Sequence, residues 1–194
     1  MGLSGLSGLS GISGVAGGNY RLLDAFTGTN ADLLTAHPMT IGAGWAATNG
    51  AWEIQGNRAS CKTLTSAYAL ALAESGGADV IVTAIAQRAG ASNIGVAFRS
   101  IDANNFWVAV FGSANLALIK KVTGTPTVVS SIALSTSVGV DVVLQVVASG
   151  TTITVYADGV QKLQATSQTS LQSATKCGIY AEGVGNLVDN FQVV

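Results

Sequence analysis

The chain has 194 residues, 48% of them hydrophobic and only 10% charged, with nine basic and ten acidic side chains and a net charge of -1. That balance excludes the basic patches that hold nucleic acid or anionic membranes, and it leaves Ser, Thr, Asn and Gln to build the surface. No stretch reaches the roughly 18 apolar residues of a membrane span, and Met1-Gly2-Leu3-Ser4-Gly5 lacks the charged and apolar regions of a signal peptide, so the expectation is synthesis in a cytosol without export.

Residues 2–17 read GLSGLSGLSGISGVAG, with glycine at every third place from Gly2 to Gly17. A collagen triple helix needs this spacing because only hydrogen fits at its axis, although no proline is present to prearrange the backbone. A helix of three residues per turn puts Leu3, Leu6, Leu9, Ile12 and Val15 on one side, as an apolar stripe beside a column of serines. By composition alone the segment also reads as a flexible linker. Residues 1–19 are assigned as an extended arm and residues 20–194 as one domain. Such an arm cannot bury enough of its own surface to offset the entropy of ordering, so its order must come from partner chains. Three arms winding about a three-fold axis would supply it, as would a groove in another protein.

From about Leu22 onward the pattern is strand and turn. The loop Thr27–Thr40, with the only histidine at His37 before Pro38, is the longest irregular stretch, and His37 is expected to face solvent. Ala78–Ala86 and Val140–Ala148 are apolar or small on both faces, as two stacked sheets would favour. Turn signals recur at Gly90–Asn93, Asp102–Asn105, Gly112–Asn115 and Gly124–Pro126. Val142, Leu144, Val146 and Ala148 alternate with Val143, Gln145 and Val147. Ser149-Gly150 then leads into Thr152–Ala157, and Asp158-Gly159 into Val160–Ala165. The runs between turns number about a dozen, which suits a sandwich or jelly roll.

Several of these runs resemble a known family. Gly95–Phe111, GVAFRSIDANNFWVAVF, resembles a hairpin of concanavalin A-like and laminin G-like jelly rolls, an FR-x-x-D turn followed by an aromatic strand. Trp52–Gly56 is similar to the family's early W-x-x-x-G strand, Val155–Gly159 to its V-Y-x-D-G hairpin, and Gly178–Val194 to its closing pair. The resemblance spans about residues 22–194 and implies an all-β, two-sheet antiparallel jelly-roll sandwich of the concanavalin A-like type behind the arm. It supports the fold far better than any activity.

Hydrolases of this fold need two carboxylates facing one cleft, often on one strand. Here the acids from Asp24 to Asp189 are scattered singly, mostly at turns, so no enzyme is expected. No nucleophile elbow accompanies His37, and one histidine with two distant cysteines makes no zinc site. Asp189 and Asn190 are conceivable calcium ligands, but a hydrogen bond to a turn is the preferred reading, with no metal and no cofactor. Cys61 and Cys177 read as free buried thiols, with a disulfide left open.

If the hairpin turn is Ile101–Asn105, then Ile94, Val96, Phe98, Phe106, Val108 and Val110 face the core. The opposite face carries Arg99 beside Trp107, a floor of Gly95, Ala97 and Ala109, and Phe111 at the far end. That face of Arg99, Trp107 and Phe111 is the candidate carbohydrate site, weighed against Trp107 packing under a loop or against another subunit. A lectin-like jelly roll, no export signal and a Gly-x-Ser arm together point to a bacteriophage virion structural protein, either a head decoration protein or a fibre-like appendage. Its expected partners are itself, as a homotrimer, other virion proteins and cell-surface glycans, with no nucleic acid or membrane. A free carbohydrate-binding module is the alternative, and a glycoside hydrolase the third reading.

Overall fold

The protein is described by a computed structural model over residues 19–194, so the arm positions Leu3, Leu6, Leu9, Ile12 and Val15 lie outside the described residues. Short runs of β-branched and small residues between turns form fifteen strands. The first are β1 (Leu22–Asp24), β2 (Ala46–Asn49), β3 (Ala51–Gln55), β4 (Arg58–Thr63) and β5 (Ala69–Glu74). Then come β6 (Val80–Gln87), β7 (Ile94–Asp102), β8 (Asn105–Phe111), β9 (Asn115–Val122) and β10 (Thr125–Ala133). The last are β11 (Asp141–Ser149), β12 (Thr152–Ala157), β13 (Val160–Ala165), β14 (Lys176–Ala181) and β15 (Leu187–Val193). Within Thr27–Thr40 a single 3-10 turn, Leu34–Ala36, interrupts the loop.

Two antiparallel sheets result. One runs β13-β12-β11-β6-β15-β4-β3, with β1 also on β15, and the other runs β10-β9-β8-β7-β14-β5-β2. The closing strand β15 holds its sheet together, pairing β6 on one side and β1 and β4 on the other. Between the sheets lie Trp52, Ile54, Phe98, Trp107, Leu144 and Phe191, all buried. The β11 alternation is as the sequence implies, with Val142, Leu144, Val146 and Ala148 inward.

Two sequence-based expectations change. The β7–β8 hairpin closes with a two-residue turn, Ala103-Asn104, because Asp102 pairs Asn105 and the Asp102 carboxylate accepts from the Asn104 amide at 2.7 Å. A one-residue difference in turn length reverses every facing on the second strand. Phe98 therefore lies opposite Trp107, and Ile94 opposite Phe111, all toward the core, while Phe106, Val108 and Val110 face outward. His37 does not face solvent. It is 8% exposed, and its Nε2 lies 3.0 Å from the buried Asp24 carboxylate, which also accepts from the Trp45 indole at 2.7 Å and the Phe26 amide at 2.8 Å. These bonds tie the long loop to β1. Cys61 in β4 and Cys177 in β14 belong to different sheets and are free and buried, as the sequence reading expects.

Candidate functional site

The two sheets treat their outer faces differently. The outer face of the β3-to-β13 sheet is mixed and half-exposed, with Ile81, Ile85, Val143 and Val147 beside polar contacts in which Gln145 donates to Thr83 at 3.1 Å, Gln164 donates to Thr154, and Arg58 makes a bidentate pair with Asp141. Strands β5, β7 and β8 of the other sheet are buried on both faces along nearly their whole length. Their outward residues form a second apolar cluster that includes Leu70, Leu72, Ala97, Val108 and Val110.

Three aromatic rings lie on that face. Tyr68, immediately before β5, stacks on Tyr180 of β14 at 5.1 Å between centroids and meets Phe106 of β8 edge-on at 5.6 Å. Small residues lie in the same sheet. Gly95 and Gly178 are obligatory, since a Cβ would stand 1.9 Å and 2.0 Å from the carbonyl oxygens of Ala109 and Ala71 on neighbouring strands. Ala97 lies between them in the sheet, opposite Gly178.

Charged groups hold the polar ends of the rings. Lys121 of β9 donates to the Tyr68 hydroxyl at 2.8 Å and sits 4.9 Å over its ring, within cation-π reach. Tyr68 in turn donates to the Ala103 carbonyl at 2.5 Å, fixing the ring to the hairpin turn. Tyr180 donates to Glu182 at 2.8 Å, and the other oxygen of that carboxylate accepts from the Asn93 amide at 2.6 Å. Burial, reinforced by the Glu182 charge, pushes the Tyr180 phenol far above its usual range, so it stays a proton donor.

The rings are largely covered by one another, and their open edges line a groove of about 350 Å³ together with Ile119, Lys121 and Glu182. A second groove of about 320 Å³ lies on the same sheet, lined by Thr48, Leu72, Glu74, Ile101, Asp102 and Lys176. The Thr175 side chain and the Gly76 amide hold the Glu74 carboxyl below its ordinary value, and the Asn104 amide does the same for Asp102.

None of Arg99, Trp107 and Phe111 is on an open face. Trp107 and Arg99 are 0% exposed and Phe111 1%. The Trp107 indole donates to the Ser170 carbonyl at 3.0 Å under the β13–β14 loop. Arg99 takes a left-handed backbone, φ 44°, within the register shift of β7. Its guanidinium donates to the Ala78 and Gly150 carbonyls and pairs with Asp79 at 2.8 Å, bracing turns of the facing sheet. Of the proposed floor, Ala97 does face outward, in one cluster with Phe106, Tyr68 and Tyr180, whereas Ala109 turns into the core between the sheets. Asp189 accepts from the adjacent Asn190 amide at 2.8 Å, at a left-handed residue of β15. Among the described residues no three His, Cys, Asp or Glu side chains converge as metal ligands. Tyr68, Phe106 and Tyr180 are far apart in sequence. The available signal was the loss of polar alternation in Ala69–Ala73 and in Gly95–Phe98.

No family model matches the sequence, and no curated protein matches it. Solved structures do match the fold. The carbohydrate-binding module CBM66 from Bacillus subtilis is 20% identical with a TM-score of 0.66, over 78% of this chain and 93% of that one. A structure from work on endo-acting O-glycanases of the human gut microbiota has a TM-score of 0.60 at 12% identity, over 91% and 99% of the two chains. Domain 4 of a GH43 arabinanase from Geobacillus stearothermophilus, in complex with arabinotriose, has a TM-score of 0.55 at 12% identity, over 85% and 93%. The described chain is thus a jelly-roll sandwich of the concanavalin A-like type.

Proposed function

We propose that this domain is a carbohydrate-binding module whose ligand lies on the outer face of the β2-to-β10 sheet, over Tyr68, Phe106 and Tyr180. The observation that carries the reading is an aromatic groove with polar rims on a sheet face that the sandwich itself does not need to bury. The open edges of the rings take up the C–H surface of a sugar, while Lys121 and Glu182 supply a donor and an acceptor for its hydroxyls. The carbohydrate-binding module and the arabinotriose-bound domain of like fold support the class of ligand.

Binding without hydrolysis fits the acids. The first groove is lined by one carboxylate, Glu182, already engaged by Tyr180 and Asn93. In the second, Glu74 and Asp102 are both held low, opposite to the shift a general acid requires. A glycan array followed by calorimetry tests the reading. Lys121→Met and Glu182→Gln should each weaken binding about tenfold or more, roughly 1.4 kcal/mol, with the fold retained. If the parent binds no glycan, or both variants bind as it does, the groove is not the site.

The period-three arm favours a second reading, in which the module is displayed by a bacteriophage particle and residues 2–17 secure a trimer. A chain lacking residues 1–17 should then fold but neither trimerise nor enter particles. Full incorporation of the truncated chain would remove this reading and leave the module.

A further inference from the structure

We propose that the sugar taken by the groove of Tyr68, Phe106 and Tyr180 carries a methyl-terminated group, deoxy or acetyl, where a plain hexose has a free hydroxyl. The proposal rests on the carbohydrate reading and narrows its ligand class.

The groove has few hydrogen-bonding protons to give. Of the ten residues around it, only Tyr68, Lys121, Tyr180 and Glu182 have polar side chains. Tyr68 gives its phenolic proton to the Ala103 carbonyl, and Tyr180 gives its own to Glu182. Lys121 has three protons and places two of them, on the Tyr68 hydroxyl at 2.8 Å and on the Ala103 carbonyl at 3.1 Å. The backbone rim is no richer at Gly124, whose amide donates to the Asn104 carbonyl at 3.0 Å, or at Pro126, which has no amide proton. One side-chain donor therefore remains, on Lys121, beside the spare lone pairs of Glu182. A hexose is hydroxylated around most of its ring, and each hydroxyl buried without a partner forfeits its hydration.

The wall on the β9 and β10 side, away from Glu182, is apolar apart from Lys121. Ile119 and Pro126 line it, and Val128, 61% exposed, pairs with Ile119 and continues it toward the edge of the sheet. Alternation fixes this facing. Pro126 pairs Lys121 and Val128 pairs Ile119, two residues packed against the ring cluster, so Thr125 and Thr127 fall on the other side. Over Thr125–Val128 the apolar residues thus face the groove and the hydroxyl-bearing ones face away.

A methyl in place of a hydroxyl matches both observations. It asks for no donor, and it brings apolar surface to Ile119 and Pro126. The hydroxyls that remain on the sugar keep Lys121 and Glu182 as partners. The C6 methyl of a 6-deoxyhexose and the methyl of an acetyl group present the same chemistry to this wall.

A glycan array of matched pairs tests the proposal, with 6-deoxyhexoses against the corresponding hexoses and acetylated sugars against their free hydroxyl forms. The parent should prefer a methyl-bearing member over its hydroxylated partner by about tenfold or more, and the kind of pair that shows the preference identifies the source of the methyl. Ile119→Thr should remove most of that preference, while the hydroxylated member binds the variant as it binds the parent. Val128→Thr, at a strongly exposed position where folding is not at stake, should reduce the preference in the same direction. Fully hydroxylated glycans bound as tightly as their methyl-bearing partners, or a preference unchanged in both variants, would overturn the proposal and leave the carbohydrate reading standing. A parent that binds no glycan at all would overturn both.

Discussion

Replacing Trp107 by alanine separates the observed register from the one a longer hairpin turn would give. With Trp107 on an open sugar-binding face, the change would abolish glycan binding and barely touch stability. The structure gives the opposite expectation. The indole is 0% exposed, stacks on Phe98 at 6.3 Å between centroids and donates to the Ser170 carbonyl at 3.0 Å. Truncating a buried tryptophan costs about 3–5 kcal/mol through lost transfer energy and the cavity left behind. The Ser170 carbonyl loses its donor as well, which favours the upper part of that range. For a chain of this length each kcal/mol lowers the melting temperature by roughly 2–4 °C, so a fall of roughly 10 °C or more is expected. Calorimetric melting and glycan titration of the same preparation measure both quantities. A variant that melts within a degree of the parent and binds no glycan would refute the inward facing of Trp107, and the groove assignment with it.

Burial pushes the Cys61 thiol up to about 11 and the Cys177 thiol up to about 12, so neither should react with a thiol reagent near neutral pH in the native protein, and both should react once it is unfolded. Fast titration of either thiol without denaturant would contradict the packing. Burial also holds the Asp189 carboxyl above its ordinary value, against the smaller pull of the Asn190 amide and Arg58. A group raised in this way contributes most below its unfolded value and loses that contribution as pH rises through the folded one. Asp189→Asn should therefore stabilise the protein near pH 7 and lose its advantage in acid near about pH 3, read as urea midpoints. An advantage that grows in acid would reverse the assignment. Lys121 and Glu182 are each engaged by a neutral partner, so glycan affinity should change less than about twofold between low and physiological salt. A steep salt dependence would point to a charged ligand.

The sequence carried the strands more faithfully than their facings. Thr152–Ala157 and Val160–Ala165 were legible to the residue, because Ser149-Gly150 and Asp158-Gly159 punctuate unbroken β-formers. The closing strand was legible through the resemblance of Gly178–Val194 to the family's closing pair. The β7–β8 face was not, because Asp102-Ala103-Asn104-Asn105 is compatible with more than one turn length and each extra residue reverses the partner strand. Arg99 gave no warning either, since a left-handed backbone at a residue other than glycine has no compositional signature. The groove was hidden for a topological reason. Tyr68, Phe106 and Tyr180 meet only because the strand order is β8-β7-β14-β5, and that order is a long-range property. His37 was misplaced because the partner that draws it inward, Asp24, lies on the other side of a loop.

The needs of the fold account for Trp107 and leave the tyrosines unexplained. A two-sheet sandwich must bury one face of each sheet, and the β3-to-β13 sheet does only that. The other sheet also carries rings on its outer face, and two of its strands pass so close to their neighbours at Gly95 and Gly178 that no larger residue fits at either position. A face meant only to be solvated would place polar side chains there and tolerate many of them. Instead Lys121 and Glu182 are spent on orienting two phenols, and Asn93 on fixing Glu182. Opposite charges held in this way give the groove fixed donors and acceptors. Preorganised ring edges with fixed hydrogen-bonding groups suit a polyhydroxylated ligand, which repays order in the site because it brings little charge of its own.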